Sequence, residues 1–211
     1  MKTIEFKNIT FAYPKSEPII QDFSISFEKN KIYAIVGKNG VGKTTIGKLA
    51  VKLLDANNGQ ILINAKDVKS MSLAEIGKRV AYVYQEVSRQ LFASSVYEEL
   101  SFPMELKNCE NIKETVEKQL KKFDLLHLKD EFPFYLSQGE KQRLVIAGAL
   151  LENPDFIILD EPTTALDSKR KNELSKILLK LKNETEIGII IISHDFEFLE
   201  KLSCEEVKIE K

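Results

Sequence analysis

Two stretches of the chain, Gly37 to Thr45 and Leu136 to Arg143, have the residue types and spacing to hold phosphate at the start of a helix. The first reads Gly37, Lys38, Asn39, Gly40, Val41, Gly42, Lys43, Thr44, Thr45 and fits G-x-x-x-x-G-K-[ST]. It follows an apolar run, Ile32 to Val36, that reads as a buried strand. Glycines let successive backbone N–H groups turn inward as an anion nest, and the dipole of the next helix reinforces it. Lys43 is then placed to reach the β- and γ-phosphates, and the Thr44 hydroxyl to bind Mg²⁺. The alternative is an ordinary Gly-rich turn, which the strand before and the helix after argue against. The motif implies a nucleoside triphosphate as ligand.

Phe156-Ile157-Ile158-Leu159-Asp160-Glu161 places two carboxylates at the end of another buried strand. In a parallel sheet this is the edge at which the phosphate loop emerges. Asp160 suits Mg²⁺, an ion that prefers oxygen ligands and dehydrates reluctantly. Glu161 is placed to polarise a water attacking the γ-phosphate. His194 follows the Ile187 to Ile192 strand and is expected at the same edge, able to report the γ-phosphate; alone, such a histidine packs or caps. Gln85 ends the strand Val80 to Tyr84, where its amide can ligate Mg²⁺ or water, or be an ordinary polar strand end. In the second stretch, Ser137 and Glu140 have capping-box spacing. With Gly139 they leave a positively polarised helix start, so capping and anion binding are compatible there.

The elements that must position these groups can be read in outline. Ile4 and Phe6, then Phe23, Ile25 and Phe27, recur with period two and predict antiparallel strands broken near Pro14-Lys15-Ser16. A helix from about Gly42 to Leu54 follows, then a turn at Asn57-Asn58-Gly59 and a strand Gln60 to Ile63. Ser72 and Glu75, and again Ser95 and Glu98, have capping-box spacing at expected helix starts. Between Gln85 and Leu151 the pattern is helical, with apolar Ile112, Val116, Leu120 and Phe123 on one face. Strand and helix alternation then resumes: a helix from about Ser168 to Leu181, a strand to Ile192, a short helix, and a last strand Glu206 to Ile209. Runs such as IILD and IGIIII lack alternation, as expected of parallel strands covered on both faces.

At 211 residues the chain suits one domain with a subdomain. Its 31 basic and 32 acidic side chains give a formal charge of -1, no sign of a nucleic-acid partner. The Lys-rich stretch Lys118 to Lys122 reads as a solvated helix face. Cys109 and Cys204 match no metal or redox spacing and fit a reducing cytosol. His127 reads as structural or surface. No signal-peptide pattern is present, and no apolar run approaches the roughly 18 residues that cross a bilayer. A membrane connection is therefore expected through a partner.

GKNGVGKTT, Gln85, LSQGE, FIILDE, TTALD and His194, in this order and over nearly the whole chain, resemble the ATP-binding cassette (ABC) ATPase family. The resemblance implies an α/β P-loop NTPase fold: residues 1–211 as one ABC-type cassette with a mixed core sheet and an N-terminal antiparallel β-subdomain. A helical subdomain, about 86–152, is inserted in it. It also implies ATP and Mg²⁺ as cofactors and a Walker A loop at 37–45, a Q-loop at Gln85, and a signature at 136–140 that includes Ser137, Gly139 and Glu140. Further implied are a Walker B at 156–160, a catalytic Glu161, a D-loop at Ala165–Asp167, a switch His194 and an adenine-stacking Tyr13. The signature departs from LSGGQ at Gln138 and Glu140 but keeps Ser137 and Gly139. In such proteins two cassettes pair head to tail, each ATP held between the Walker A of one and the signature of the other. The partners implied are a second ATPase subunit, identical or paralogous, and an integral membrane subunit; the location is cytoplasmic, on the inner membrane face.

Arg89 to Ala93, Val96 to Phe102, and Ile146 to Leu150 with Gly148 further resemble the ATPase subunits of energy-coupling factor (ECF) importers, which take up vitamins or metal ions. Those commonly continue into a C-terminal dimerisation region, whereas 17 residues follow His194 here. The expectation is a compact variant or half of a two-ATPase system. The alternatives are a soluble ABC ATPase without transport, an exporter subunit, or a nucleotide-gated binding module.

Overall fold

The computed structural model describes residues 2–209. Strand β1 (Thr3–Phe11) pairs antiparallel with β2 (Ile20–Glu28), setting Ile4 opposite Phe27 and Phe6 opposite Ile25. Strand β4 (Asn58–Ile63) joins the other edge of β1, and the two-residue β5 (Lys66–Asp67) completes a sheet of order β2-β1-β4-β5. A second sheet contains β3 (Ile32–Val36), β6 (Val80–Val83), β7 (Phe156–Asp160), β8 (Gly188–Ile192) and β9 (Glu205–Lys208). Its order is β6-β7-β8-β3-β9, and every pairing is parallel. The expected mixture of strand directions is thus divided between two sheets rather than blended in one. The cause is burial: β3, β7 and β8 are buried along their whole length, which suits strands joined by crossovers that cover both faces.

Alternate residues of the parallel strands feed two cores, as the pleat requires. Ile158 and Ile190 face the antiparallel sheet and α1 (Lys43–Ala50), meeting Ile4, Phe27, Tyr33 and Ile46. Ile157, Leu159, Ile189 and Ile191 face the other way, toward Leu120, Leu144 and Leu178. These last come from α4 (Ile112–Lys122), α5 (Gln138–Ala149) and α6 (Ser168–Glu184). Helices α3 (Val96–Leu106), α4 and α5 all lie between β6 and β7 in the chain.

Helix boundaries follow local chemistry. At α2 (Leu73–Gly77), Ser72 and Glu75 form a reciprocal capping box, with bonds of 3.2 Å and 2.9 Å. At α3 only half of the box forms: Ser95 Oγ accepts from the Glu98 amide at 3.1 Å, while the Glu98 carboxylate takes the Ser94 hydroxyl. Helix α1 stops at Ala50, short of Leu54, because Lys52 turns left-handed at φ 56°. On α4, Val116 and Leu120 are buried while Lys118, Lys121 and Lys122 are exposed, the solvated face expected of that stretch. A short α7 (Phe196–Glu200) precedes β9. Among the described residues no helix is long and apolar enough to cross a membrane.

The two sheets are stitched by aromatics. Phe27 on β2 meets Phe6 and Tyr33 edge-on, at centroid distances of 6.1 Å and 5.0 Å, and is 1% exposed. Phe27→Ala is expected to cost about 3–5 kcal/mol, read as a lowered urea midpoint, because the cavity opens between two sheets that cannot both collapse into it. A change below about 1 kcal/mol would remove this contact from the core.

Candidate functional site

The parallel sheet brings the chemistry to one edge. β3 ends at Val36, β7 at Asp160 and β8 at Ile192, with Asp160 in register with Ile192 and Ile35 also paired with Ile192. The loop after β3 enters α1 through Gly42, whose φ of 108° is open to glycine at little cost. Lys43 is 7% exposed, and its ammonium donates to the carbonyls of Gly37 at 2.8 Å and Lys38 at 3.2 Å. The cation therefore sits inside the loop that was read as a phosphate nest.

Next to it, Thr44 Oγ1 donates to Asp160 Oδ1 at 2.9 Å, and the Tyr82 hydroxyl donates to Asp160 Oδ2 at 2.7 Å. Burial pushes Asp160 above the usual carboxylate range, against the pull of those two hydrogen bonds. A buried carboxylate oxygen beside a hydroxyl suits Mg²⁺, which is held by one or two such ligands with phosphate and water supplying the rest. The described residues contain no cluster of three or more His, Cys, Asp or Glu able to hold a metal by themselves.

Glu161 follows in a left-handed conformation, φ 46°, its N–H donating to Ile192 O at 2.8 Å. This bond across to β8 turns the carboxylate toward His194, whose Nδ1 lies 3.0 Å from Glu161 Oε1. A non-glycine residue in that region is strained, and such strain tends to collect where side chains must be aimed. Ser193 Oγ reaches the other carboxylate oxygen at 3.5 Å.

A cavity of about 410 Å³ unites these groups; Tyr13, Gly42, Lys43, Gln85, Glu161 and His194 all line it. That is the size range of a small-ligand site. The Tyr13 hydroxyl lies 3.2 Å from Thr45 Oγ1, which anchors the ring at the rim. The structure thus gathers the sequence candidates Tyr13, Gly37 to Thr45, Gln85, Asp160, Glu161 and His194 at one place.

Ser137, Gly139 and Glu140 are not among the residues lining that cavity. At the start of α5, the Ser137 amide and hydroxyl both donate to Glu140 Oε2, at 2.7 Å and 2.6 Å. Burial works to raise the Glu140 pKa, but these hydrogen bonds, with Arg143 and Arg170 nearby, hold it below the usual carboxylate range. Arg170 packs over Gly139, where an added Cβ would lie 2.7 Å from its Cδ, and its guanidinium bonds Asp167 at 2.7 Å.

Residues 20–164 match the family described as ABC transporter. The chain belongs to the ABC transporter family. It is an ATP-binding ATPase domain of that family, with the cassette fold of its structural relatives. CbiO1 of Clostridium perfringens, described as part of the ABC transporter complex CbiONQ, superposes with a TM-score of 0.90 at 30% identity, covering 98% of this chain and 84% of that one. EcfA1 of Thermotoga maritima, an energy-coupling factor transporter ATP-binding protein, is 35% identical over 201 residues, 94% of this chain and 75% of its own length. An ABC transporter ATP-binding protein of Caldanaerobacter subterraneus is 36% identical over 193 residues, 90% of this chain; the chain spans 34% of its length.

Within this ABC cassette, the sequence reading gives Tyr82 no site role, and Gln90 only a place in the ECF-like stretch Arg89 to Ala93. Gln90 Nε2 donates to Tyr82 O at 3.0 Å and its Oε1 accepts from Tyr84 N at 2.8 Å, clamping the end of β6 just before Gln85. The available signal was a tyrosine in an otherwise apolar strand, since a buried phenol needs a hydrogen-bond partner.

Proposed function

We propose that this chain is the ATP-hydrolysing subunit of an ECF-type importer, closing on a second cassette when ATP binds and opening after hydrolysis. The observation that carries the reading is the convergence of Lys43, Thr44, Gln85, Glu161 and His194 on one cavity, with Asp160 bonded to Thr44 behind it and the Ser137 helix start outside it. Two phosphate-binding helix starts that do not share a cavity suit two nucleotides, each shared between two copies or paralogues of the cassette. Thr44, Asp160 and Gln85 would hold Mg²⁺, which offsets charge on the β- and γ-phosphates when bound. Lys43 and the loop amides of Gly37 to Thr45 grip the phosphates, and Tyr13 stacks on the adenine. Glu161 accepts the proton of the attacking water, and His194 holds that carboxylate in line. Ser137 and Gly139 supply the opposite grip, so loss of the γ-phosphate weakens both sides at once. The opening this drives is limited by the difference in affinity for ATP and ADP.

A groove of about 450 Å³ beside β6 supports a membrane partner lying against the cytoplasmic-side cassette. Leu53, Leu73 and Phe92 line it and are 45%, 60% and 59% exposed, an apolar seat of the kind an amphipathic helix fills. Vitamin or metal-ion uptake rests on the ECF likeness alone. Tagged protein extracted in mild detergent is expected to bring down a polytopic membrane protein. Recovery with ribosomes and no membrane subunit would overturn the transport role while leaving the ATPase in place.

A further inference from the structure

We infer that Tyr82 is a positioning residue for the Asp160 carboxylate, and that it ties the groove beside β6 to the metal side of the nucleotide site. The inference rests on the nucleotide reading above. Strand β6 sets Tyr82 in register with Ile158, two residues before Asp160 on the neighbouring strand. From there the hydroxyl takes Asp160 Oδ2 at 2.7 Å while Thr44 takes Oδ1 at 2.9 Å. Asp160 is 3% exposed, so its oxygens depend on these partners rather than on bulk water. A carboxylate pinned at one oxygen cannot rotate, and the other stays aimed at the Thr44 hydroxyl. Partners of this kind, which touch a ligand rather than the metal, commonly set metal affinity.

The ring is built in from both sides. On α1, a Cβ at Gly47 would lie 2.9 Å from both Tyr82 Cε2 and Ile192 Cδ1, so the glycine leaves space that the ring and Ile192 share. Tyr84 meets the ring edge-on at 5.1 Å, and Gln90 bonds the backbone of both tyrosines. Tyr82, Tyr84 and Gln90 also line the apolar groove. One side chain therefore reaches from a surface groove to the carboxylate beneath the phosphate loop.

The competing account is that the phenol merely satisfies its own hydrogen bond inside a packed strand. Binding of a fluorescent ATP analogue to the full chain, measured once with Mg²⁺ and once with EDTA, separates the two. Tyr82→Phe keeps the ring and removes the hydroxyl. It is expected to bind the analogue in EDTA as wild type does and to lose about tenfold of the Mg²⁺-dependent gain in affinity. An unchanged gain, or an equal loss in both arms, overturns the inference. Gly47→Ala keeps the hydroxyl but crowds the ring and Ile192 Cδ1 alike, so it supplies the test should Tyr82→Phe fail to fold. Its gain should fall in the same direction, and an unchanged gain in folded protein overturns the inference as well. Wild type that binds in neither arm would instead overturn the nucleotide reading itself.

Discussion

Replacing Glu161 by Gln is expected to leave ATP binding intact and to lower turnover by about 10²–10⁴-fold. The amide keeps the volume of the carboxylate and can still meet His194 Nδ1, now 3.0 Å from Glu161 Oε1, so the cavity retains its shape. What it cannot do is accept the proton of the attacking water. The contacts proposed for ATP lie elsewhere, on Lys43 and the loop around it, and so should persist. With hydrolysis blocked, the ATP-bound pair of cassettes should accumulate and elute as a dimer on size-exclusion chromatography with ATP and Mg²⁺. Phosphate release at the wild-type rate by Glu161→Gln would remove this residue from its role.

The opposite separation of binding from chemistry is expected at Lys43. Lys43 is 7% exposed, and its ammonium is held by the Gly37 and Lys38 carbonyls at the mouth of α1. Charge-assisted hydrogen bonds at such a site are worth about 1.5–3 kcal/mol. Lys43→Ala should therefore weaken nucleotide binding by about 10- to 100-fold in a titration, and with it the ATP-dependent dimer. The fold should survive, because the aliphatic neighbours Ile46 and Leu49, not the ammonium, seat α1 in the core. A variant with wild-type affinity would show that the loop amides alone hold the phosphates.

These two residues were legible because their chemistry is written in adjacent positions. A phosphate loop needs glycines and a lysine within nine residues after a strand, and a strand-end Asp-Glu pair needs only a buried run before it. The same locality made the Ser72 capping box readable. It held only in part at Ser95, which caps α3 while the competing Ser94 hydroxyl takes the Glu98 carboxylate. It failed at the end of α1, where the left-handed turn at Lys52 carries no glycine to announce it.

The amino-acid sequence by itself determined the family, the groups proposed to meet its nucleotide, and the succession of strands and helices that carries them. Burial on both faces is encoded in unbroken apolar runs, and a nest for phosphate in the order of glycines. Strand order, the division of antiparallel and parallel pairing between two sheets, and the setting of Tyr82 beside Asp160 were decided only by the tertiary structure. Those depend on which strands become neighbours across long stretches of chain: Tyr33 pairs with Glu205, 172 positions on, and Tyr82 bonds Asp160, 78 positions on. Pairing of that range is selected by how the two cores fill together, a property of the whole packed chain rather than of any segment.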